Sequence, residues 1–496
     1  MEAAQPAVAP PHVDVLIVGA GLSGIGAACH LQAQAQCPGR SYAILEGRER
    51  SGGTWDLLRY PGVRSDSDMY TLGYVFRPWT QAKAIADGPS TLQYVRDPAR
   101  QHGVEDKILY QPRVVRPAWS SADACWTVDV EQGPDKQLVQ WRCNFLFLCS
   151  GYYRYEAGYT PDFAGMADFK GRIVHPQHWP ADLDHSGQRV VVIGSGATAM
   201  TLVPAMAQSA AHVTLLQRSP TYVVARPAED PIANRLRRLL PAMAAYRLTR
   251  WKNVTLGMLF FRLARRKPAR VRRMLLGGGG HALGPRYDIA THFTPRYNPW
   301  DQRLCLVPDG DLFAALNAGR ASMVTDHIDT FTPEGLRLKS GRELKADIIV
   351  TATGLELQVL GGIELSVDGR RVDPAATFNY KGMMYSDVPN LASSFGYTNA
   401  SWTLKCDLTC AYVCRLLNHM HKHGWRQCTP HNAGPDLSPE PWIDFSSGYV
   451  QRSLDKFPKQ GTHTPWKLHQ NYLRDILLLR LGRVDDGVMV FSNRAV

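Results

Sequence analysis

The sequence predicts an α/β protein with two dinucleotide-binding, Rossmann-like domains and a helical insertion in the second of them. An apolar strand, a glycine-rich turn and a helix follow one another near the start of the chain, and the same pattern recurs near residue 190. The length of 496 residues suits two or three domains and excludes a single small binding module.

The first pattern is VDVLIVGAGLSGIGAACHL, in which an apolar strand runs into Gly19-x-Gly21-x-x-Gly24. Gly19 permits the tight turn, Gly21 lets the backbone approach a pyrophosphate, and Gly24 lets the helix pack closely on the strand. The next strand, SYAILE, ends in Glu46, where a carboxylate can accept the ribose hydroxyls of an adenosine. A glycine turn in an unrelated α/β protein is the alternative interpretation.

The second pattern is QRVVVIGSGATAMTL, which gives Gly194-x-Gly196 with a small alanine in the third place. Alignment of YAILEG with VTLLQR puts Gln217 at the position of Glu46, and Arg218 directly after it. An arginine without the acid suits a ribose with a 2′-phosphate, because the guanidinium can bond the phosphate and a carboxylate would repel it. This half therefore resembles an NADPH site, although a strand-end arginine can also be merely solvated.

Two dinucleotide sites in one chain imply a flavin that carries electrons and a nicotinamide that donates them, brought together between the domains. Two further apolar segments, FLFLCSGYY and ADIIVTATGLEL, resemble strands whose glycines, Gly151 and Gly354, return close to a nucleotide. Each segment could equally be a buried strand that ends in a turn.

The formal net charge is +12, but residues 231–280 carry 13 Lys and Arg and no acidic residue, so the remainder sums to −1. Because the basicity is local, no nucleic-acid partner is expected. No segment reaches the roughly 18 apolar residues of a spanning helix, and the start MEAAQPAVAPPH lacks the features of a signal peptide. A cytoplasmic protein is expected. The ten cysteines contain no C-x-x-C pair and are expected to be buried thiols, with no metal site.

The segment between the two patterns carries a longer motif, in which Phe169, Gly171, His175 and Trp179 match the F-x-G-x-x-x-H-x-x-x-W-P fingerprint. It resembles the fingerprint of Baeyer-Villiger monooxygenases, whereas related flavin-containing monooxygenases usually replace the tryptophan by another aromatic residue. A second signature, GGTW followed by YPG and Asp66, is similar to the same family. The segments YPGVRSDSDMYTLGYVFRPW and YNPWDQRLCLVPDGDLF resemble the ethionamide-activating subgroup of that family in particular.

The resemblance implies roles for individual residues. The residues that would line FAD are Gly19, Gly21, Gly24, Glu46, Thr54 and Trp55. Arg303, in NPWDQRL, matches the family's active-site arginine, which stabilises the negatively charged peroxyflavin and contacts bound NADP. Asp66 would lie beside the flavin, where it orients the arginine and balances its charge.

The resemblance also places the fingerprint at the domain linker, where it couples domain movement to cofactor binding. Direct chemistry by His175 is not expected, because a linker histidine is badly placed to meet the substrate in every domain orientation. One position departs from the family, since Gln302 stands where many relatives have a lysine that helps to hold the 2′-phosphate. The preference for NADPH over NADH would then rest on Arg218 and Ser219.

The predicted architecture is a discontinuous FAD-binding domain, residues 1–155 and 381–496, interrupted by an NADPH-binding domain over 160–380. Residues 225–300 form a helical, basic insertion in the second domain. This insertion interleaves arginines with Leu, Met, Phe and Trp, as an interfacial helix with one apolar and one cationic face would. Peripheral membrane contact through 231–280 is one interpretation; a helical subdomain packed on the NADPH domain, with solvated arginines, is the other.

The predicted function is that of a Baeyer-Villiger monooxygenase, which uses FAD, NADPH and O2 to turn ketones into esters or lactones and to oxygenate sulfides or thiocarbonyls. Two alternatives remain open. An N- or S-oxygenating flavin monooxygenase without ketone activity would share every glycine motif. A non-catalytic flavoprotein adaptor would retain the folds as structure alone and consume NADPH without forming an oxygenated product.

Overall fold

The computed structural model describes residues 10–33, 39–285, 287–432 and 437–493. In chain order its strands are β1 (His12–Val18), β2 (Tyr42–Glu46), β3 (Ile108–Tyr110), β4 (Arg113–Ser120), β5 (Cys125–Gln132), β6 (Gln137–Leu148), β7 (Arg172–Val174), β8 (Arg189–Ile193), β9 (His212–Gln217), β10 (Val223–Arg226), β11 (Cys305–Pro308), β12 (Ala321–Thr325), β13 (Ile328–Thr332), β14 (Gly335–Leu338), β15 (Glu343–Lys345), β16 (Ile348–Thr351), β17 (Ser366–Val367), β18 (Arg370–Arg371), β19 (Asn379–Tyr380), β20 (Met384–Tyr385), β21 (Leu391–Ser393), β22 (Gln427–Pro430), β23 (Glu440–Pro441), β24 (Lys459–Gln460) and β25 (Met489–Ser492).

The helices are α1 (Leu22–Gln32), α2 (Thr54–Leu57), α3 (Met69–Leu72), α4 (Gly88–Gln101), α5 (Ala197–Met206), α6 (Pro231–Leu239), α7 (Ala242–Arg266), α8 (Pro268–Leu283), α9 (Ile289–His292), α10 (Asp311–Asn317), α11 (Trp402–His423), α12 (Gly448–Gln451) and α13 (Tyr472–Ile476). A π-helical turn, Leu477–Leu481, directly follows α13. Short 3-10 turns span Glu105–Lys107, Met166–Asp168, Pro176–His178, Val359–Gly362, Pro374–Ala376 and Leu454–Lys456.

The first sheet has nine strands in the order β18-β17-β4-β5-β6-β1-β2-β3, with β21 also paired to β6. Strands β6, β1, β2 and β3 run parallel, and the end of β1 is wholly apolar because both faces of the sheet are covered there. One face packs on α1 and α11. The run of small residues after Gly21 in α1 allows the two helices to approach closely.

The second sheet has five parallel strands in the order β12-β9-β8-β16-β7. Its apolar strands are buried between α5 and α10 on one face and the β13-β14-β15 sheet on the other. The first sheet is mixed and the second is parallel, and each carries a glycine-rich turn after a parallel strand, β1 in the first and β8 in the second. They confirm the predicted α/β class with two Rossmann-like domains.

The second sheet ends earlier in the chain than the predicted range 160–380 implies. Strand β17 pairs with β4 of the first sheet, and Leu360, Ile363 and Leu365 pack in the core beneath that sheet. Residues 360–371 therefore belong structurally with the first sheet, and the predicted position of this boundary is wrong. The returning strand is only two residues long, too short to produce an apolar periodicity that sequence could reveal.

The helical insertion lies between two paired strands, since β10 and β11 pair in parallel and α6 to α9 fall between them. Helix α8 packs on β10 and α10, but α7 packs on α3, which belongs to the first half of the chain. Buried Arg250 attaches α7 there by donating hydrogen bonds to the carbonyl oxygens of Tyr70 at 2.8 Å and Gly73 at 2.7 Å. It also lies 3.4 Å from buried Asp407 of α11. The insertion therefore joins the two halves. The interpretation of a helical subdomain packed on the NADPH domain did not include this contact with the first half.

Helix α11 carries three of the cysteines that the sequence predicts to be buried thiols. Cys406, Cys410 and Cys414 are buried on one face, and the helix ends at Gly424, whose φ of +70° is the left-handed conformation of a helix C-cap. The described cysteines are all buried, and Cys37 lies outside the described residues. None of the described helices is long and apolar enough to cross a membrane.

Candidate functional site

The first glycine-rich turn is closed so tightly that side chains are excluded at two of its glycines. Gly19 has φ of +100° and donates a hydrogen bond to the carbonyl oxygen of Leu45 at 2.8 Å. A Cβ on Gly19 would lie 2.6 Å from the carbonyl oxygen of Cys149, and one on Gly24 would lie 1.9 Å from that of Gly19. Gly21 precedes α1 and leaves the helix N-terminus open to an anion.

Glu46 ends β2 beside this turn and is 4 % exposed. One carboxylate oxygen accepts a hydrogen bond from the Ala20 amide at 2.7 Å, and the other accepts one from the Arg48 amide at 3.0 Å. Burial raises the pKa of Glu46, while both amides favour its ionised form. The structure thus brings the predicted acid to the predicted turn.

The second signature packs directly on the same turn. Gly52 donates a hydrogen bond to the carbonyl oxygen of Ala20 at 2.9 Å, and a Cβ on Gly53 would lie 3.0 Å from the Cα of Gly21. Both signature glycines have positive φ, and α2 begins immediately after them with Thr54 and then half-buried Trp55. The structure therefore gathers all six predicted FAD residues around one turn.

The second glycine-rich turn repeats the backbone arrangement of the first. Gly194 has φ of +140° and donates a hydrogen bond to the carbonyl oxygen of Leu216 at 2.8 Å. A Cβ on Gly194 would lie 2.2 Å from the carbonyl oxygen of Ala352, just before Gly354. Above Gly196, at the start of α5, a Cβ would meet no heavy atom within 4 Å. The segments that end near Gly151 and Gly354 thus return beside the two turns, as their patterns predicted.

The end of β9 differs from the end of β2. Gln217 occupies the register position of Glu46, is 1 % exposed, and donates hydrogen bonds to the His292 carbonyl oxygen at 2.8 Å and to Thr325 Oγ1 at 2.9 Å. Arg218 and Ser219 follow it and are exposed. Within the described residues Arg218 makes no hydrogen bond or ion pair. Its guanidinium is therefore available to a phosphate.

Arg303 and Asp66 form an ion pair of 3.1 Å between Nη1 and Oδ2, with each side chain 38 % exposed. Asp66 raises the pKa of Arg303, burial opposes this effect, and Tyr152, Tyr449 and Tyr153 add to the increase. The resemblance predicted both residues but gave no contact distance. The structure brings them together across 237 positions of sequence, which the spacing of residues alone could not reveal.

Arg303 lines a cavity whose other walls are mostly aromatic. The lining residues are Tyr152, Arg303, Leu357, Phe395, Tyr397, Thr398, Trp402, Ile443, Phe445, Tyr449 and Val450. Two residues after Arg303, the Cys305 thiol contacts the carbonyl oxygen of Ser195 in the second glycine turn at 3.8 Å. We call this space the Arg303 cavity. It lies beside the turn that the sequence assigns to the nicotinamide nucleotide.

Sequence reasoning missed the tyrosines of this cavity. Tyr152 and Tyr153 share a hydroxyl–hydroxyl hydrogen bond of 2.5 Å, and Tyr449 approaches from the C-terminal part of the chain. Burial raises the pKa of all three phenols, so they are neutral hydrogen-bond donors at physiological pH. The paired tyrosines that directly follow the glycine of FLFLCSGYY were an available signal.

The linker fingerprint is built into the packing of the second sheet. Phe169 is buried against Phe331, and a Cβ on Gly171 would lie 2.3 Å from the carbonyl oxygen of Asp347. Trp179 is half-buried against the core of the second sheet. These three residues therefore have packing roles, and none of them lines the Arg303 cavity.

His175 contacts the backbone through both ring nitrogens. Nε2 lies 3.2 Å from the carbonyl oxygen of Gly354, to which it donates, and Nδ1 accepts a hydrogen bond from the Gln177 amide at 3.2 Å. A Cβ on Gly158 would lie 1.9 Å from the ring, so the linker segment passes directly against it. Burial lowers the pKa of His175. A neutral ring with both nitrogens engaged supports a linker role rather than direct chemistry.

The fold and the paired glycine turns define a protein with two dinucleotide-binding domains. A model of the flavin-binding monooxygenase-like family matches residues 89–249, and a model of the NAD(P)-binding Rossmann-like domain matches residues 17–81. The second of these models covers the first glycine-rich turn and Glu46, and the family model covers the second glycine-rich turn and Arg218.

Similar proteins identify the family to which the chain belongs. The chain is 55 % identical to the FAD-containing monooxygenase EthA of Mycobacterium tuberculosis over 484 residues, covering 97 % of this chain and 98 % of the relative. It is 48 % identical to the probable FAD-binding monooxygenase AlmA of an Acinetobacter species, covering 97 % of each. The chain belongs to the family of FAD-containing monooxygenases. The predicted family and the predicted class of enzyme are thereby confirmed.

Solved structures agree on the fold. A steroid monooxygenase bound to NADP superposes with a TM-score of 0.73 at 20 % identity, covering 97 % of this chain and 99 % of that one. A cyclohexanone monooxygenase from Rhodococcus, bound to NADP+, gives a TM-score of 0.68 at 20 % identity, covering 85 % and 87 %. The architecture is shared with monooxygenases whose sequences have diverged far from this one.

Proposed function

We propose that this protein is a Baeyer-Villiger monooxygenase that uses FAD, NADPH and O2. It inserts one oxygen atom into ketones, giving esters or lactones, and it oxygenates sulfides or thiocarbonyls. The observation that carries the proposal is the Arg303–Asp66 ion pair, whose arginine lines an aromatic cavity and stands two residues before the cysteine that contacts the second glycine turn. A fixed cation facing an apolar chamber suits a reaction in which negative charge develops away from water.

FAD fits the first turn by the chemistry of its donors and acceptors. The amides at the start of α1 face an anion, Glu46 supplies the carboxylate for ribose hydroxyls, and the signature glycines admit a close backbone approach. NADPH fits the second turn because Gly196 is open above α5 and Arg218 is exposed without a partner among the described residues. The relatives named as FAD-containing and the solved structures bound to NADP support these two assignments.

Bound FAD, reduced by NADPH, supplies the chemistry that activates O2 and delivers one of its atoms to the substrate. Asp66 holds the Arg303 guanidinium in place and balances its charge. Arg303 then offers hydrogen-bond donors to developing negative charge. The neutral hydroxyls of Tyr152 and Tyr449 add donors without adding charge. The surrounding aromatic rings give the cavity beside Arg303 mostly apolar walls.

The test is a product analysis under oxygen-18 gas with purified holoenzyme and NADPH. Matched ketones and sulfides are offered, and products are identified by mass spectrometry. We expect esters from ketones and sulfoxides from sulfides, each with one labelled oxygen atom. Sulfoxides without esters would instead identify an S-oxygenating enzyme without ketone activity, and NADPH consumption without any labelled product would identify the adaptor.

We also propose peripheral contact with anionic membranes through residues 231–280. Helix α7 buries one face on the protein and leaves Leu248, Trp251 and Leu259 exposed on another. Arg262 and Arg266 follow Leu259 at helical spacing, are exposed, and make no ion pair with the described residues. Exposed apolar residues beside free cations are the pattern of an interfacial helix.

The apolar surface continues beyond the insertion. Trp251 contacts Tyr472, with ring centroids 5.9 Å apart, and the helical turn after Tyr472 exposes Leu477 and Leu481. The two segments are distant in sequence but adjacent in the structure. Their combined surface supports membrane contact better than the insertion alone.

A further inference from the structure

A second cavity adjoins the Arg303 cavity, and the proposed mechanism makes no use of it. The lining residues are Gly382, Phe395, Gly396, Tyr397, Lys405, Trp442, Leu468, His469, Gln470 and Asp475. Phe395 and Tyr397 line both cavities, so one wall separates the two spaces. We call the second space the distal cavity. Its walls contain the charged residues Lys405 and Asp475. Among the residues that line the Arg303 cavity, only Arg303 is charged.

The distal cavity holds a buried ion pair. Lys405 Nζ lies 2.9 Å from Asp475 Oδ2, and the two residues are 5 % and 4 % exposed. Tyr397 donates a hydrogen bond to the same Asp475 oxygen at 2.6 Å. Removing two charges from water is costly, and apolar replacements of such pairs are often as stable or more stable. The pair is therefore poorly explained by stability alone.

Lys405 has N–H donors without a hydrogen-bond partner among the described residues. Its ammonium carries three N–H groups, and Asp475 is its single hydrogen-bond partner among the described residues. The Asp475 carboxylate balances the charge, so the pair presents N–H donors with little net charge. Such a group favours a neutral acceptor, since a carboxylate would also approach Asp475.

A second unpartnered donor lies in the same wall. Trp442 is 4 % exposed, and its indole N–H is buried without a hydrogen-bond partner within the described part of the chain. A buried donor without a partner is costly, so most such groups in proteins are satisfied by protein, water or ligand. Lys405 and Trp442 lie on different elements, so two independent donors line one space.

We propose that the distal cavity binds the far end of the oxygenation substrate through a neutral hydrogen-bond acceptor, such as an ester, amide or ketone oxygen. Lys405 and Trp442 are the donors, while the reacting carbonyl or sulfur occupies the Arg303 cavity. The substrate class is then an elongated ketone or sulfide with a second polar group, rather than a simple hydrocarbon ketone. This inference rests on the proposed function for the identity of the reacting end.

The experiment measures binding and turnover separately in the FAD-loaded enzyme. The probes are linear methyl ketones, each compared with a ketone of equal heavy-atom count whose far end is a methyl ester, and with one whose far end is a carboxylate. Dissociation constants come from calorimetry without NADPH, and kcat/KM comes from product formation. We expect the ester to bind at least about tenfold tighter than the plain ketone at one chain length, as a hydrogen bond to a charged donor gives.

Trp442→Phe keeps the ring packing and removes the N–H. The ratio of the affinity for the ester-bearing ketone to the affinity for the plain ketone should therefore fall by about fivefold. Lys405→Met combined with Asp475→Asn removes both charges together and should make the affinities for the ester and the plain ketone equal. Trp425→Phe, a half-exposed tryptophan outside both cavities, is the matched control and should leave the ratio at its wild-type value.

The outcomes distinguish the two proposals. A ratio of one in the wild-type enzyme, or a ratio unchanged in Trp442→Phe and in the double variant, would overturn the distal site and leave water as the partner of these donors. A carboxylate that binds tighter than the ester would overturn the neutral-acceptor assignment. Preferential ester binding without any oxygenated product would support the distal site and contradict the proposed function.

Discussion

The two glycine-rich turns are alike in backbone and different in side chains. In each, the first glycine donates to the carbonyl oxygen of the second-last residue of the neighbouring strand, Leu45 in one and Leu216 in the other. In each, a Cβ would strike the carbonyl oxygen of a returning segment, that of Cys149 or Ala352. The duplicated fold therefore provides the same phosphate-binding backbone twice.

The difference begins at the end of the second strand. Glu46 stays at the edge of the first turn and accepts a hydrogen bond from its amide, while Gln217 turns into the protein and leaves Arg218 exposed. One backbone thus carries two strand ends that differ in charge and direction, which is the difference expected between the proposed FAD and NADPH sites. The halves also meet, since Asp66 of the first pairs with Arg303 of the second.

Two glycine substitutions separate the roles of the two turns. Gly24→Ala would place a methyl group 1.9 Å from the Gly19 carbonyl oxygen, so the first turn must shift. We expect a loss of stability of about 3 kcal/mol, the cost of severe overpacking, and purified protein without flavin. Thermal unfolding and the visible flavin spectrum measure both.

Gly196→Ala is the comparison variant in the second turn, where Gly196 corresponds to Gly21 and Ala199 already stands at the position of Gly24. Its added methyl group meets no heavy atom within 4 Å, so the fold and the bound flavin should survive while the KM for NADPH rises. If Gly24→Ala keeps its flavin and melts like the wild type, the tight closure of the first turn is not required for FAD binding.

The next effect concerns the contact between the halves. Arg303→Ala should leave the FAD content unchanged, since the arginine makes no contact with the first turn, and reduce oxygenation by more than about a hundredfold. Product formation and flavin content are measured on the same preparation. Arg303→Lys, which keeps the charge but loses the planar fork, separates charge from geometry. Wild-type product formation in Arg303→Ala would remove the observation on which the proposed function depends.

Local patterns predicted most of the fold. The two strand–turn–helix units, the acid at Glu46 and the buried cysteine face of α11 follow from residues close in sequence, so periodicity and spacing revealed them. The boundary near residue 380 was wrong because the two-residue strand β17 is defined by its partner in the first sheet rather than by its own pattern.

The candidate site was predictable only in part. Arg303 and Asp66 were identified by resemblance, whereas Tyr152 and Tyr449 meet them only through tertiary folding from segments nearly 300 residues apart. The inward turn of Gln217 depends on His292, which is likewise remote in sequence. Local sequence therefore located the nucleotide turns, while the chamber between them required the structure.

A smaller effect is expected at the strand end that distinguishes the two turns. Arg218→Ala should raise the KM for NADPH by the equivalent of about 1.5 to 3 kcal/mol and change that for NADH little, because only NADPH carries the 2′-phosphate. Steady-state kinetics with both nucleotides measure the difference. Arg370→Ala removes an equally exposed arginine from the first sheet and is the control. Equal effects of Arg218→Ala on both nucleotides would mean that the 2′-phosphate is recognised elsewhere.

A weaker effect is expected for the basic insertion, which distinguishes the second half of the molecule from the first. If α7 rests on a bilayer, the protein should sediment with vesicles that contain anionic lipid at low salt and be released as salt screens the attraction. Arg262→Gln combined with Arg266→Gln should weaken this binding by about 1 kcal/mol for each charge removed.

The double variant Arg342→Gln and Arg370→Gln removes the same charge from exposed positions outside the insertion, and it should bind vesicles like the wild type. Equal weakening of vesicle binding by the two double variants would mean that the attraction depends on the net charge of the protein alone. An absence of binding at low ionic strength would leave α7 as a helix that joins the two halves through Arg250 and has no lipid partner.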